Sequence, residues 1–280
     1  MNIGKCLYGA LLVTSLAGAL TGCGKKIDKE RVAIDESRGI QFSEDKRLLE
    51  SYNAKLSEKE YIVPSGVTAI GPRAFEKCRK LTNVTLSDGV TGIGERAFSG
   101  CSDLTSITIP DSVKNLGDYA FEDCKNLSAV KLPDGVTVIG KGVFKDCKKL
   151  TNLTLPADLK SIGYQAFYNC EKLTSVTFPA SLKSIEDSAF EECETLTGVT
   201  IPDQVTAIGA NAFKKCRHLL SVTIPDSVTG IGAGAFEGCK NLNRVRIPKG
   251  VKSIGARAFK GCPCEKQVKS NYPNLYNYEK

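Results

Sequence analysis

The sequence predicts a repeat solenoid, a right-handed superhelix of stacked coils, and three observations predict it. Phenylalanine recurs at Phe75, Phe98, Phe121, Phe144, Phe167, Phe190, Phe213, Phe236 and Phe259, every step being 23 residues. A cysteine follows each phenylalanine by three residues, from Cys78 to Cys262. Between them run a short apolar/polar alternation, a turn and a glycine, with no insertion in any copy. A fixed period of this size marks units that cannot bury their own apolar face and stack to do so.

The elements follow in chain order. Residues 1–22 read as a signal peptide: Lys5 precedes an apolar stretch from Cys6 to Leu20. That stretch is shorter than the ~20 residues a membrane-spanning helix needs and fits a secretory h-region. Leu20-Thr21-Gly22-Cys23 resembles the lipobox of bacterial lipoproteins. The resemblance implies cleavage before Cys23 and acylation of its thiol, which would anchor the chain in a membrane. Residues 23–39 are charged and poor in large apolar groups, so they read as a tether. Residues 40–60 read as an N-terminal cap: Ile40-Gln41-Phe42 and Leu48-Leu49 flank a polar turn as two short strands. Terminal repeats depart from the pattern because one face meets water.

Residues 61–262 hold nine units. In one of them, Leu104, Ile107 and Ile109 give the L-x-x-L-x-L pattern of a leucine-rich repeat. Ile107 and Ile109 alternate with Ser106 and Thr108, as a half-buried strand requires. Pro110 ends the strand because it offers no ladder donor. Val113 and Leu116 return to the core, Gly117 allows a backbone bend, and Ala120-Phe121 sit on a short helical segment with the ring inward. Each unit is thus a strand, a turn and a short helical segment. Residues 263–280 read as a C-terminal cap.

Ile224 to Cys239 reads IPDSVTGIGAGAFEGC, and this string resembles the BspA-like leucine-rich repeat proteins of bacteria. The resemblance covers all nine units. Ser87 in place of the proline, Val143 of the alanine and Glu186 of the glycine are its departures. It implies a bacterial surface lipoprotein or secreted protein, extracytoplasmic and lipid-anchored at the outer membrane or cell surface. It also implies adhesion to host or matrix proteins; a structural or assembly role in the cell envelope is the rival.

The chemistry-bearing residues are few. The chain has one His and no Trp. His218 falls at a variable position two residues after Cys216 and reads as a solvated side chain. The nine repeat cysteines never form CxxC pairs, so they read as small buried thiols rather than a disulfide chain or a metal site. Cys264 breaks the register and is expected to be exposed. No catalytic residues, no metal and no cofactor are expected. The binding candidates are the outward strand positions Thr85, Thr108, Lys131, Thr154, Thr177, Thr200, Thr223, Arg244 and Arg246. In one sheet they would tile ~38 Å at ~4.8 Å per strand. Residues 240–280 carry ten Lys or Arg against two Glu, which leaves the first 239 residues at a net charge of −1. The expected partner is a protein, with host extracellular matrix as the leading class and the membrane held through lipid. Nucleic acid is not expected, since an exported anchored chain seldom meets it.

Overall fold

The computed structural model describes residues 26–275. It is a solenoid of nine coils, numbered here as units 1 to 9 by their phenylalanines from Phe75 to Phe259. Each coil has three sides. The first-strand side carries segments such as Ser106–Thr108. The second-strand side carries two-residue strands such as Asn115–Leu116. The turn side carries the Ala-Phe-x-x-Cys segment.

The segment expected to be a tether begins the fold instead. Helix α1 (Lys29–Ser37) is capped by Asp28, whose carboxylate accepts the Arg31 N–H at 3.0 Å. Asp35 is fully buried and accepts from the Tyr61 hydroxyl at 2.7 Å and from Arg31 Nε at 3.2 Å, with Arg38 beside it at 3.4 Å. Burying a carboxylate is costly unless its lone pairs are satisfied, and three donors converge on it here. Gly66, at φ +90°, makes room for the incoming chain: a Cβ there would lie 2.5 Å from Ile27 Cα. The cap hairpin forms as read, with β1 (Gln41–Phe42) antiparallel to β2 (Leu48–Ser51).

Two parallel ladders run from the cap. On the second-strand side β2 leads a run through Ala69–Ile70, Gly92–Ile93 and Asn115–Leu116. A separate six-stranded sheet continues from Val138–Ile139 to Ser253–Ile254. The expected single sheet on the first-strand side is three short ones: units 1–3, units 4–5 and units 7–8. Units 6 and 9 hold no strand there.

The turn side departs most from expectation, because no helical segment forms. In every unit the residue before the alanine and the second residue after the phenylalanine take positive φ, as Arg96 (55°) and Gly100 (74°) do in unit 2. Left-handed residues interrupt a right-handed helix. They also turn backbone N–H groups toward the next coil. Arg96, Phe98 and Gly100 donate to the carbonyls of Asp118, Ala120 and Glu122 at 2.8–3.0 Å, and the same three rungs recur at all eight junctions. The rings stack behind them, with centroids 4.8–5.5 Å apart and planes within 12°. Tyr52 continues the stack into the cap, 5.1 Å from Phe75.

The glycine expected to bend the chain serves contact instead. Gly117 has no positive φ, and a Cβ on it would lie 2.3 Å from the backbone nitrogen of Glu95 in the preceding coil. Unit 6 carries Glu186 at this position and turns its carboxylate to the Tyr164 N–H at 3.0 Å.

Candidate functional site

The ten cysteines of the described residues are all free and buried. From Cys101 to Cys262 each repeat thiol donates to the carbonyl of the phenylalanine one coil back, at 2.9–3.2 Å. Burial pushes the Cys193 and Cys78 thiols up to about 12. A thiolate is the reactive form, so these thiols are structural and inert. Cys264, expected at the surface, is 1% exposed because helix α2 (Glu265–Asn271) starts on it and folds over the last coil. His218 is exposed, and its Nδ1 lies 2.8 Å from the Glu194 carbonyl. Among the described residues no group of His, Cys, Asp and Glu is arranged to hold a metal, and no helix is long and apolar enough to cross a membrane.

The outward first-strand positions divide into two kinds. At the edge, threonine hydroxyls are committed to the stack: Thr82, Thr105, Thr151 and Thr197 donate to carbonyls one coil back at 3.0–3.2 Å. The expected binding row is different. Thr108, Thr154, Thr177, Thr200 and Thr223 are exposed, and their hydroxyls make no hydrogen bond among the described residues. Thr85 is half-buried in the same row and registers on Thr108, as Lys131 does on Thr154 and Thr200 on Thr223. Arg244 and Arg246 are exposed at the far end, in the strandless ninth unit.

Two grooves open on this side. One of about 760 Å³ runs across units 6 to 8, with Thr177, Thr200 and Thr223 along it. It lies where unit 6 lacks its strand, and departures from the repeat shape it. Phe178 replaces an aliphatic residue and packs edge-on against Phe190 at 5.5 Å. Gly198 removes a side chain, and Ala180 and Gln204 alter the flanking turns. The other groove, about 600 Å³, is lined by Thr108, Asp111 and Lys131 at the junction of units 3 and 4, where both strand ladders part. The groove residues Phe178, Ala180, Gly198 and Gln204 escape a reading by periodicity. Phe178, Gly198 and Gln204 differ from the residues at their places in the neighbouring copies, whereas Ala180 repeats Ala157 of unit 5.

The family model for BspA-type leucine-rich repeat regions matches residues 50–172 and 137–266 in six copies. The chain belongs to the BspA-type leucine-rich repeat family. It is similar in structure to a leucine-rich repeat protein of T. pallidum, with 24% identity, TM-score 0.51, and coverage of 86% of this chain and 94% of that one. A leucine-rich repeat protein from Bacteroides ovatus is similar at 23% identity and TM-score 0.51, with coverage of 86% of this chain and 90% of that one. These likenesses show the fold. No curated protein matches the chain. BspA-type repeats are binding scaffolds, typically without enzymatic activity, and the class serves protein–protein interaction.

Proposed function

We infer that this protein is a lipid-anchored surface protein that adheres to a host or matrix protein through its first-strand side. The observation that carries the reading is the row of uncommitted hydroxyls along the groove of units 6 to 8. The Thr197 hydroxyl at the strand edge is held by the stack, whereas those of Thr177, Thr200 and Thr223 make no hydrogen bond among the described residues and are open to a partner. Curved repeat arrays bind on such extended surfaces. Exposed threonines are cheap to keep on a strand, but Gly198, which lines the groove beside them, is a residue that strand propensity disfavours. Anchoring rests on the lipobox-like Leu20 to Cys23. Only Gly24 and Lys25 separate Cys23 from the described chain, so the cap would ride close to the lipid.

Surface plasmon resonance against a panel of matrix proteins tests the adhesive role. Saturable binding to one of them is expected, weakened at least ~10-fold when Thr177, Thr200 and Thr223 are changed to Lys. No saturable binding to any member would remove the adhesive role, and binding untouched by the three lysines would remove this face. For the anchor, Cys23→Ala should abolish metabolic labelling with a fatty-acid analogue and release the protein from membranes. Protection of the array from protease on intact cells would favour the cell-envelope role instead.

A further inference from the structure

We propose that the ninth coil carries a second binding site, for a flexible sulfated polysaccharide, independent of the groove on units 6 to 8. Four outward positions change together between adjacent units. Ser221, Thr223, Asp226 and Thr229 of unit 8 become Arg244, Arg246, Lys249 and Lys252 of unit 9, all exposed. Stacking does not ask for these cations, because the array stacks with hydroxyls and carboxylates at the same places. Closing the end does not ask for them either. Helix α2 covers it with Val268 and Cys264 buried, and the Tyr272 hydroxyl reaches the Ile247 carbonyl at 3.4 Å.

Some cations of the array are paired and others, such as Lys114, Lys160 and Lys183, make no ion pair among the described residues; what sets the four apart is that residues 240–264 hold no Asp or Glu. Lys145 and Arg96 pair with Glu122, Lys148 with Glu171, and Lys214, Lys215 and Arg217 with Glu191, Glu192 and Glu194 one coil back. Arg244, Arg246, Lys249 and Lys252 make no ion pair among the described residues. Exposed Lys240, Lys260 and Lys266 lie close in sequence. Uncompensated cations on a small end surface raise the local potential and draw polyanions.

The layout selects among polyanions. Arg244 and Arg246 lie on the first-strand side, Lys249 on the loop beyond it and Lys252 beside the second strand Ser253–Ile254. The cations therefore bend around one edge of the coil. A flat membrane would meet only part of this band, whereas a flexible chain follows all of it. Single-stranded nucleic acid gains much of its affinity from base stacking on exposed aromatic rings. Phe259 is buried and Tyr272 is packed on Ile247, so the end offers no open platform of that kind among the described residues.

The test is fluorescence anisotropy with a labelled heparin dodecasaccharide and the exported chain. Saturable binding is expected, weakening steeply between ~50 and ~300 mM salt. Changing Arg244→Ser, Arg246→Thr, Lys249→Ala and Lys252→Thr installs residues that other units already carry at these places. This should weaken binding at least ~30-fold with the thermal midpoint unchanged. Arg244→Ser with Arg246→Thr alone should give a smaller loss, and it serves if the fourfold variant fails to fold. Removing the same number of charges by Lys114→Thr, Lys141→Ala, Lys160→Thr and Lys183→Thr should leave affinity within ~2-fold. Three outcomes would overturn the proposal: no heparin binding, equal loss in the two fourfold variants, or tighter binding of oligothymidylate or phosphatidylserine vesicles. Loss of matrix-protein binding in the lysine variants of the groove would leave this site untouched.

Discussion

On the turn side, three backbone rungs cross every junction from unit 1 to unit 9, and behind them run an unbroken ring stack and a file of thiol hydrogen bonds. On the first-strand side of the same coils the ladder breaks after unit 3, again around unit 6, and before unit 9. Side-chain variation follows the same division. Phenylalanine and cysteine never vary, while the strand side shifts from threonine to glycine to arginine. The buried face that holds the stack is uniform and leaves little room for specificity. The side that is loosely held carries the grooves, because it can change residues without unstacking the coils.

Three measurements break or sharpen this contrast. The largest effect is expected in alkali. Burial raises the ladder thiols, to about 12 for Cys78 and Cys193, whereas an unfolded thiol titrates near ~8.5. The folded chain therefore keeps protons that the unfolded chain gives up. Stability is intact below the unfolded value and falls as pH rises through the window, by ~1.4 kcal/mol per thiol per pH unit. The thermal midpoint under reductant should drop steeply above pH ~9 and drop less when Cys147, Cys170 and Cys193 are changed to Ala. An unchanged slope would mean the thiols contribute nothing to this loss.

Next in size, Phe167→Ala should cost ~4 kcal/mol by urea unfolding, as it empties a site in the middle of the stack. Thr154→Ala in the same region of the array should cost under ~0.5 kcal/mol. Similar costs would erase the distinction between the two sides. The smallest expected effect is a gain. Gln165 sits at φ +54° with no side-chain hydrogen bond among the described residues. Gln165→Gly should stabilise by ~0.5 kcal/mol, the relief of the left-handed backbone exceeding the added freedom of the unfolded chain. A loss would mean that glutamine packing outweighs the strain.

The sequence made the period, the first strand, the cap hairpin and the inward phenylalanines legible, since each leaves an alternation or a fixed spacing. The second strand was not legible because two residues show no alternation; Leu116 reads simply as a return to the core. The turn ladder was hidden because its left-handed positions hold Arg96, Tyr119 or Lys215 as readily as glycine. Helix α1 reads as tether because only Val32 and Asp35 bind it to the core. The partner to Asp35, Tyr61, lies 26 residues away, beyond any local pattern. Of the candidate face, the threonine row was visible. The groove was not, because it depends on side chains that are missing, as at Gly198.

The ion pairs between units 6 and 7 bear on how nine near-identical coils assemble in order. Glu191, Glu192 and Glu194 each find a cation on the next coil. A chain that skipped unit 7 would set Glu191 opposite Glu237 and Glu192 opposite Gly238, while Glu194 would still meet a cation, Lys240. The phenylalanines and cysteines would fit equally well in either arrangement. At this junction two of the three pairs therefore distinguish unit 7 from unit 8, a bias against slipping by a whole repeat that the invariant rings and thiols cannot supply.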